Sequence, residues 1–441
     1  MITGERVRTR AQGIYFGWWI VAGAGMIQLL QNGLLMQAYG TYIPLLRDEF
    51  GWSSTALAAA FSLQRVESGL LGPLQGWMLG RWGPRAVIAV GTVIFGLGFM
   101  AFSQINSLTT FYAAFIFMAI GASLSGFMSL TTTIVNWFEK RRALAISLTQ
   151  VGMSAGGMMV PLVALALVQF GWRTTSFASG VIILVVGLPL SLIMRHTPEQ
   201  YGYLPDGMSP EEKAHRDAVR LAASGGIETD SDFTARQAMR TRAFWFIGFG
   251  HALAVVVVSA VMVHLVVHLT EGLGFSLGAA ATIVAFMTAV TAVGQVIGGF
   301  LGDRFNKRLI CIIAMFGHAF GLIVLAYGGS LFWVIVFSLS HGLAWGMRGP
   351  LMQAIRADYF GRASFAQIMG FSSMITMFGM MSGPIIAGLM ADRFGNYQYG
   401  FTVLAIMAAF GSIFFIFGTK PTPPGEKRRA ARLVAEPAST T

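Results

Sequence analysis

The chain has 441 residues and a mass of 47.5 kDa; 11% of it is charged, 55% is hydrophobic, and with the 54 glycines the apolar share is about 67%, where an ordinary soluble domain has roughly 45–50%. So few polar residues cannot cover a soluble body of this size, which excludes a soluble globular enzyme, a disordered chain and a fibrous repeat, and leaves the bilayer as the solvent. The formal net charge is +11, and the lone Cys311 excludes a disulfide framework, a cysteine zinc site and an iron–sulfur cluster.

About twelve apolar runs are long enough to span, near 18–44, 55–79, 85–104, 108–136, 143–170, 175–194, 243–269, 277–301, 309–328, 331–355, 365–391 and 398–418. Each approaches the ~20 apolar residues a crossing helix needs, and none alternates as barrel strands do. The first run is too long for a signal peptide and is expected to stay as a span. The expected fold is an all-α membrane protein of twelve transmembrane helices in two six-helix bundles related by a parallel repeat. The units are 1–195, a polar linker 196–242 with Pro198, Pro205 and Pro210, 243–420, and a tail 421–441.

Lys and Arg set the orientation. With the N-terminus inside, 25 of the 30 fall on the inner side, including Arg6, Arg8, Arg10, Arg81, Arg85, Lys140, Arg141, Arg142, Arg304, Lys307, Arg308, and an inner loop from Arg356 to Arg362. Only Arg47, Arg173 and Arg393 fall outside, while Arg65 and Arg348 lie within spans. Both termini are therefore expected in the cytoplasm, and the basic balance reflects topology and not nucleic acid.

The halves repeat. Gly76-x-x-x-Gly80-Arg81-Trp82-Gly83-Pro84-Arg85 after span two corresponds to Gly299-x-x-x-Asp303-Arg304-Phe305-Asn306-Lys307-Arg308 after span eight, an offset of 223. Pro161 and Pro384 share that offset, and Trp137-Phe138 and Tyr359-Phe360 differ by 222. An even number of spans per unit makes the repeat parallel.

This architecture and loop motif resemble the major facilitator superfamily of secondary transporters, over nearly the whole chain. More narrowly, the chain resembles the prokaryotic monocarboxylate and oxalate–formate transporter group through Glu49-Phe50-Gly51-Trp52-Ser53, Asn136-Trp137-Phe138 with Arg142, Pro198-Glu199-Gln200-Tyr201-Gly202 with Pro205-Asp206-Gly207, and Asp358-Tyr359-Phe360-Gly361. The resemblance implies a multi-pass protein of a prokaryotic inner membrane, working by alternating access. Two departures stand out: Gly80 replaces the usual acid of the first loop motif, and spans one, eight and eleven carry no charged residue. The family's usual anion-binding and proton-coupling residues therefore cannot be carried over.

Charges inside a bilayer, each costing ~2.5–3.5 kcal/mol on insertion scales, are the candidates for function. Arg65, Glu67 and Arg348 have the uncharged repeat partners Thr288, Val290 and Ser125, so the fold itself does not require them. His341, Trp345 and Arg348 follow at i, i+4 and i+7 on one helical face. The resemblance implies that this span lines a central cavity, where a guanidinium can grip a carboxylate bidentately. The alternative is an Arg bonded to backbone carbonyls or to a structural acid. Glu67 is the candidate proton carrier, and Arg65 a candidate cavity residue, against the alternative of a carboxylate bonded between helices. Gln28, Asn32 and Tyr39 fall near one face of span one and are candidates to orient the solute. His264 is a candidate donor; with His268 it has metal-like i, i+4 spacing but no third ligand in sequence. Arg81, Arg85, Asp303, Arg304 and Arg308 are the candidate cytoplasmic gate, the alternative being positive-inside anchoring.

The expected function is secondary active transport of a small, monocarboxylate-like organic anion, with proton coupling. The alternatives are carboxylate exchange, proton-antiport export of hydrophobic compounds, and a solute sensor. No Walker-type G-x-x-x-x-G-K-[ST] loop and no nucleophile–base arrangement is present, so neither ATP-driven transport nor an enzyme is expected. No cofactor and no metal is expected. The expected partners are the anion, a proton and the lipid bilayer, with no nucleic acid, and the expected state is a monomer.

Overall fold

The computed structural model describes residues 14–223 and 232–425. Arg6, Arg8 and Arg10 lie outside the described residues, as do parts of the linker and tail. Every regular element among the described residues is helical. Ten helices are long and apolar enough to cross a membrane. We number them α1 (Phe16–Phe50), α2 (Ser54–Phe102), α3 (Leu108–Trp137), α4 (Arg142–Ile193), α5 (Arg242–Gly272), α6 (Leu277–Arg304), α7 (Lys307–Tyr327), α8 (Leu331–Phe360), α9 (Phe365–Phe394) and α10 (Gln398–Phe417).

Side-chain caps start many of them. Ser53 accepts from the Ala56 amide, Ser107 and Thr110 form a capping box, and Thr241, Ser276 and Asn306 cap α5, α6 and α7. α2 runs for 49 residues, about 73 Å at 1.5 Å per residue, against a hydrocarbon core of ~30 Å. It is broken at Gly83 (φ 78°, ψ 159°), and α4 is broken in the same way at Gly171 (φ 74°, ψ 163°). Only glycine adopts that backbone freely, so each break stands where two apolar runs meet.

Residues 223 apart make equivalent contacts. A Cβ on Gly76 would fall 2.6 Å from the Ala366 carbonyl oxygen and 2.9 Å from the Gln367 Cα, and one on Gly299 would fall 2.9 Å from the Leu144 Cα and 2.5 Å from the Ser147 hydroxyl. Thus α2 packs on α9 as α6 packs on α4. Gly72 meets Gly370 across the first of these seams, whereas Gly294 and Gly298 pack within the second half, against Leu343 and Met347 of α8.

The linker grips equivalent loops of both halves at one end of the molecule. Asp206 accepts from the amides of Glu139 (2.9 Å), Lys140 (2.7 Å) and Arg141 (3.1 Å). Asp232 accepts from the Ala363 amide at 2.9 Å, and the Phe233 amide donates to the Phe360 carbonyl. His196 lies under Gly83, and Asn136 and Trp137 donate to the carbonyls of His196 and Arg195. Burial holds the His196 imidazole below its ordinary pKa.

Candidate functional site

Asp303 accepts from the amides of Ala143 (2.8 Å) and Leu144 (3.1 Å), the first turn of α4. A carboxylate there meets unpaired N–H groups and the positive end of the helix dipole. Arg142 reaches Asp358 at 2.6 Å, Lys307 bonds the other oxygen of Asp358 at 2.8 Å, and Arg362 bonds Glu199 at 2.5 Å and the Asn136 carbonyl at 3.1 Å. Further in, the Ser154 hydroxyl donates to Gln295 at 3.1 Å. These contacts run from mid-bundle to the linker end, so that end is shut.

Of the five expected gate residues, the structure brings only Asp303 onto the other half. Arg81 and Arg85 are exposed and make no ion pair among the described residues. Arg304 lies over the Phe300 ring of its own helix, and Arg308 lies against Tyr359 within its own half. The reason is Gly80. At the position matching Asp303 it offers no carboxylate to the start of α9, where a Cβ would meet only the Gln367 amide nitrogen at 3.6 Å. The gate is thus asymmetric. Replacing Asp303 with Asn removes the charge facing the helix N-terminus, a contribution of about 1 kcal/mol. In a Cys311→Ser background, a cysteine at the buried Ser147 should then react with a maleimide on the order of fivefold faster.

The intramembrane candidates divide between the halves. In the first, the Asn32 amide donates to the Gln28 carbonyl at 3.0 Å and approaches its side-chain oxygen at 3.4 Å. Tyr39 does not join them. The π-turn Asn32–Met36 inserts extra backbone and rotates the next turns of the helix, so the Tyr39 hydroxyl donates to the Leu57 carbonyl at 2.6 Å inside an apolar cluster. Glu67 is half-buried; its Oε2 accepts from Ser68 (3.1 Å) and Ser123 (3.0 Å), and its Oε1 is buried without a partner among the described residues. Arg65, two residues earlier, is half-buried, and both amide atoms of Gln64 are buried without partners among the described residues.

In the second half, Arg348 is 2% exposed, and its Nε and Nη1 have no hydrogen-bond partner among the described residues. The face it shares with His341 is turned to α7, where Nδ1 of His318 lies 3.1 Å from Nδ1 of His341. The face of α8 turned to the first half is that of Gly349, whose Cβ would lie 3.0 Å from the Gln150 side-chain oxygen, with the half-buried Trp345 beside it. Arg348 stands about 100° of helix rotation from that face. His264 is corrected as a free donor. Its Nε2 donates to the Pro384 carbonyl at 2.9 Å and its Nδ1 lies 3.1 Å from the Tyr397 hydroxyl, so both nitrogens are occupied. His268 donates to the Leu325 carbonyl, and no group of three metal-ligating side chains occurs among the described residues.

Arg356 was expected in a loop. It lies inside α8, 2% exposed, and donates to the Met352 carbonyl, Gln353, Ser372 of α9 and Nδ1 of His251 of α5. Neither Arg348 nor Arg356 pairs with a carboxylate among the described residues. Asp358 is spent on Arg142 and Lys307, and Asp303 on backbone amides. The interior of the second half thus holds two guanidiniums and no described anion.

The model of the Major Facilitator Superfamily matches residues 25–263 and 244–440. The chain belongs to that superfamily. It is a multi-pass membrane transporter and not an enzyme. It is 28% identical to Monocarboxylate transporter 11 of Homo sapiens over 413 residues, covering 91% of this chain and 82% of that one. It is 21% identical to the Oxalate:formate antiporter of Oxalobacter formigenes, over 90% and 91% of the two chains. The fold is similar to that of the proton:xylose symporter XylE bound to 6-bromo-6-deoxy-D-glucose, with a TM-score of 0.71 at 16% identity, over 94% and 99% of the chains. The transporter assignment agrees with the composition and with the helical fold. Asp206, Asp232, Arg142, Asp358, Glu199, Arg362 and His318 were not among the sequence candidates for a site. Several stood in the motifs that carried the resemblance, and that was the signal available for them.

Proposed function

We propose that this transporter carries a small organic anion of the monocarboxylate type by alternating access, with a proton moving in the same direction. The observation that supports it is Arg348: a buried cation with two nitrogens unpartnered among the described residues, on the same helix as a second buried cation, Arg356, with no described carboxylate on either. An isolated buried charge is costly, and an unpartnered one is retained where something else compensates it. A carboxylate compensates it through two parallel hydrogen bonds. The names of the monocarboxylate and oxalate:formate relatives point the same way.

Counting α2 and α4 as two crossings each makes twelve, six on either side of the linker, with both termini and the linker in the cytoplasm. The shut linker end is then the cytoplasmic gate. Rocking of one six-helix half on the other opens it along the α2–α9 and α4–α6 seams. Trp345, Gln28 and Asn32 line the path, and Arg348 lies one residue, about 100° of helix rotation, from the Gly349 face of α8 that meets the first half.

The test is uptake into proteoliposomes of acetate, pyruvate, lactate and oxalate, against acetamide and lactamide, with and without an inside-alkaline gradient. Faster carboxylate uptake, accelerated by the gradient, supports the reading. Equal uptake of the neutral amides, or proton-driven export of hydrophobic compounds alone, overturns it.

A further inference from the structure

His318 of α7 and His341 of α8 face each other with their Nδ1 atoms 3.1 Å apart and their ring centroids 4.6 Å apart. Both residues are fully buried, and both Nε2 atoms lack a hydrogen-bond partner among the described residues. The two rings are equidistant from the Gly328–Ser330 connection, as antiparallel neighbours must be, and Cys311 and Arg348 form the matching layer two turns further toward the linker end.

The geometry assigns this pair, and not Glu67, as the site of the coupled proton. This rests on the anion reading of Arg348. A 3.1 Å approach of two Nδ1 atoms needs one hydrogen between them. One ring donates Nδ1–H, and the other accepts with its lone pair and keeps its own hydrogen on Nε2. The donor ring's Nε2 is then a bare lone pair. One proton adds there, no bond breaks, and the imidazolium charge is shared across the pair; the proton leaves from the same nitrogen. Histidine is suited to this exchange near neutral pH.

Arg348 is what ties that proton to the anion. It is the charged group that acts on both rings, two turns away on α8. Arg356 and His251 lie beyond it, and Cys311 is the thiol opposite it. α10 presents no acidic, basic or imidazole group, the charges of α6, Asp303 and Arg304, sit at its linker end, and those of α9, Asp392 and Arg393, sit at its far end. A further positive charge near the Arg348 guanidinium is therefore opposed while the site is empty. A carboxylate on Arg348 removes that opposition, so anion and proton favour each other's binding reciprocally. Glu67 sits in the other half and is already held by two serine hydroxyls.

The experiment uses the full-length protein in nanodiscs in weak buffer at pH 6.5, with a pH indicator and pyruvate, acetate or oxalate as the probe. The parent takes up about one proton per bound anion, and its apparent affinity falls up to tenfold per pH unit as pH rises from 6 to 8. His318→Gln and His341→Gln bind the probe with proton uptake cut at least tenfold and a flat pH profile, while Glu67→Gln keeps both. The parent is also read by histidine ¹⁵N spectra, in which pyruvate adds one imidazolium charge shared by two coupled rings, so the proposal stands or falls even if a variant fails to fold. Unchanged proton uptake in both histidine variants, its loss in Glu67→Gln alone, or no change in the histidine spectra overturns the assignment. Failure of the parent to bind any of the three anions overturns the anion reading itself, and the pair with it.

Discussion

Replacing Arg348 with Gln should abolish carboxylate uptake, lowering it at least a hundredfold, while Arg348→Lys keeps a few per cent. The difference between the variants is the informative part. Gln offers one amide in place of a charged fork, and Lys restores the charge without the two parallel donors. Truncating one partner of a buried, hydrogen-bonded charge pair typically costs 2–5 kcal/mol, and the hundredfold loss expected here, about 2.7 kcal/mol, lies within that range. A purely structural arginine would behave differently. It would lower the amount of folded protein, and what remained would transport at the parental rate. Initial uptake per folded molecule, measured in proteoliposomes, separates the two.

Replacing Gly370 with Leu should hold the linker end open. A Cβ at Gly370 would lie 2.3 Å from the Gly72 carbonyl oxygen, and one at Gly72 would lie 2.8 Å from the Gly370 carbonyl oxygen. Both obstacles are backbone, so no rotamer change relieves them. Overpacking of this kind costs typically 1–3 kcal/mol. Here the strain exists only while the α2–α9 seam is closed, so it falls on one conformation and not on the fold. A cysteine at Ser147, on the companion α4–α6 seam, should react with a maleimide at least tenfold faster, and net uptake should fall because the cycle no longer closes. Unchanged labelling would mean that the two seams do not open together.

Much of the fold could be read from the sequence. Twelve apolar runs and the offset of 223 follow from a bilayer's demand for long apolar helices, and the offset reappears in three dimensions where Gly76 and Gly299 meet opposite halves at matching places. The site was harder. Burial of Arg348 was readable, because a charge in an apolar run must be enclosed. Which way it faces was not: a helical period groups His341, Trp345 and Arg348 but does not say which neighbour that face meets. Tyr39 was misplaced because a π-turn shifts the phase and leaves no trace in the periodicity. Arg356 looked like a loop residue, since a cation near the end of an apolar run is ordinarily solvated. Its actual partners, His251 and Ser372, lie 105 and 16 residues away. Asp206 and Asp232 were invisible as clamps because their ligands are backbone amides, which carry no residue-type signal. His318 could have been found, since counting equal distances from the short connection after α7 places it opposite His341.

The measurement that bears most directly on the uncompensated cation is thermal unfolding of the parent and of Arg348→Met, with and without a saturating monocarboxylate. Met fills similar volume without charge, and replacing an uncompensated buried ion with an apolar side chain is neutral or stabilising. The empty Met variant should therefore melt at or above the parent. A carboxylate at a hundred times its Kd should stabilise the parent by about 2.7 kcal/mol and leave the variant unmoved. An equal shift in both proteins, or a variant that melts well below the empty parent, would show that Arg348 holds the helices together and does not receive an anion.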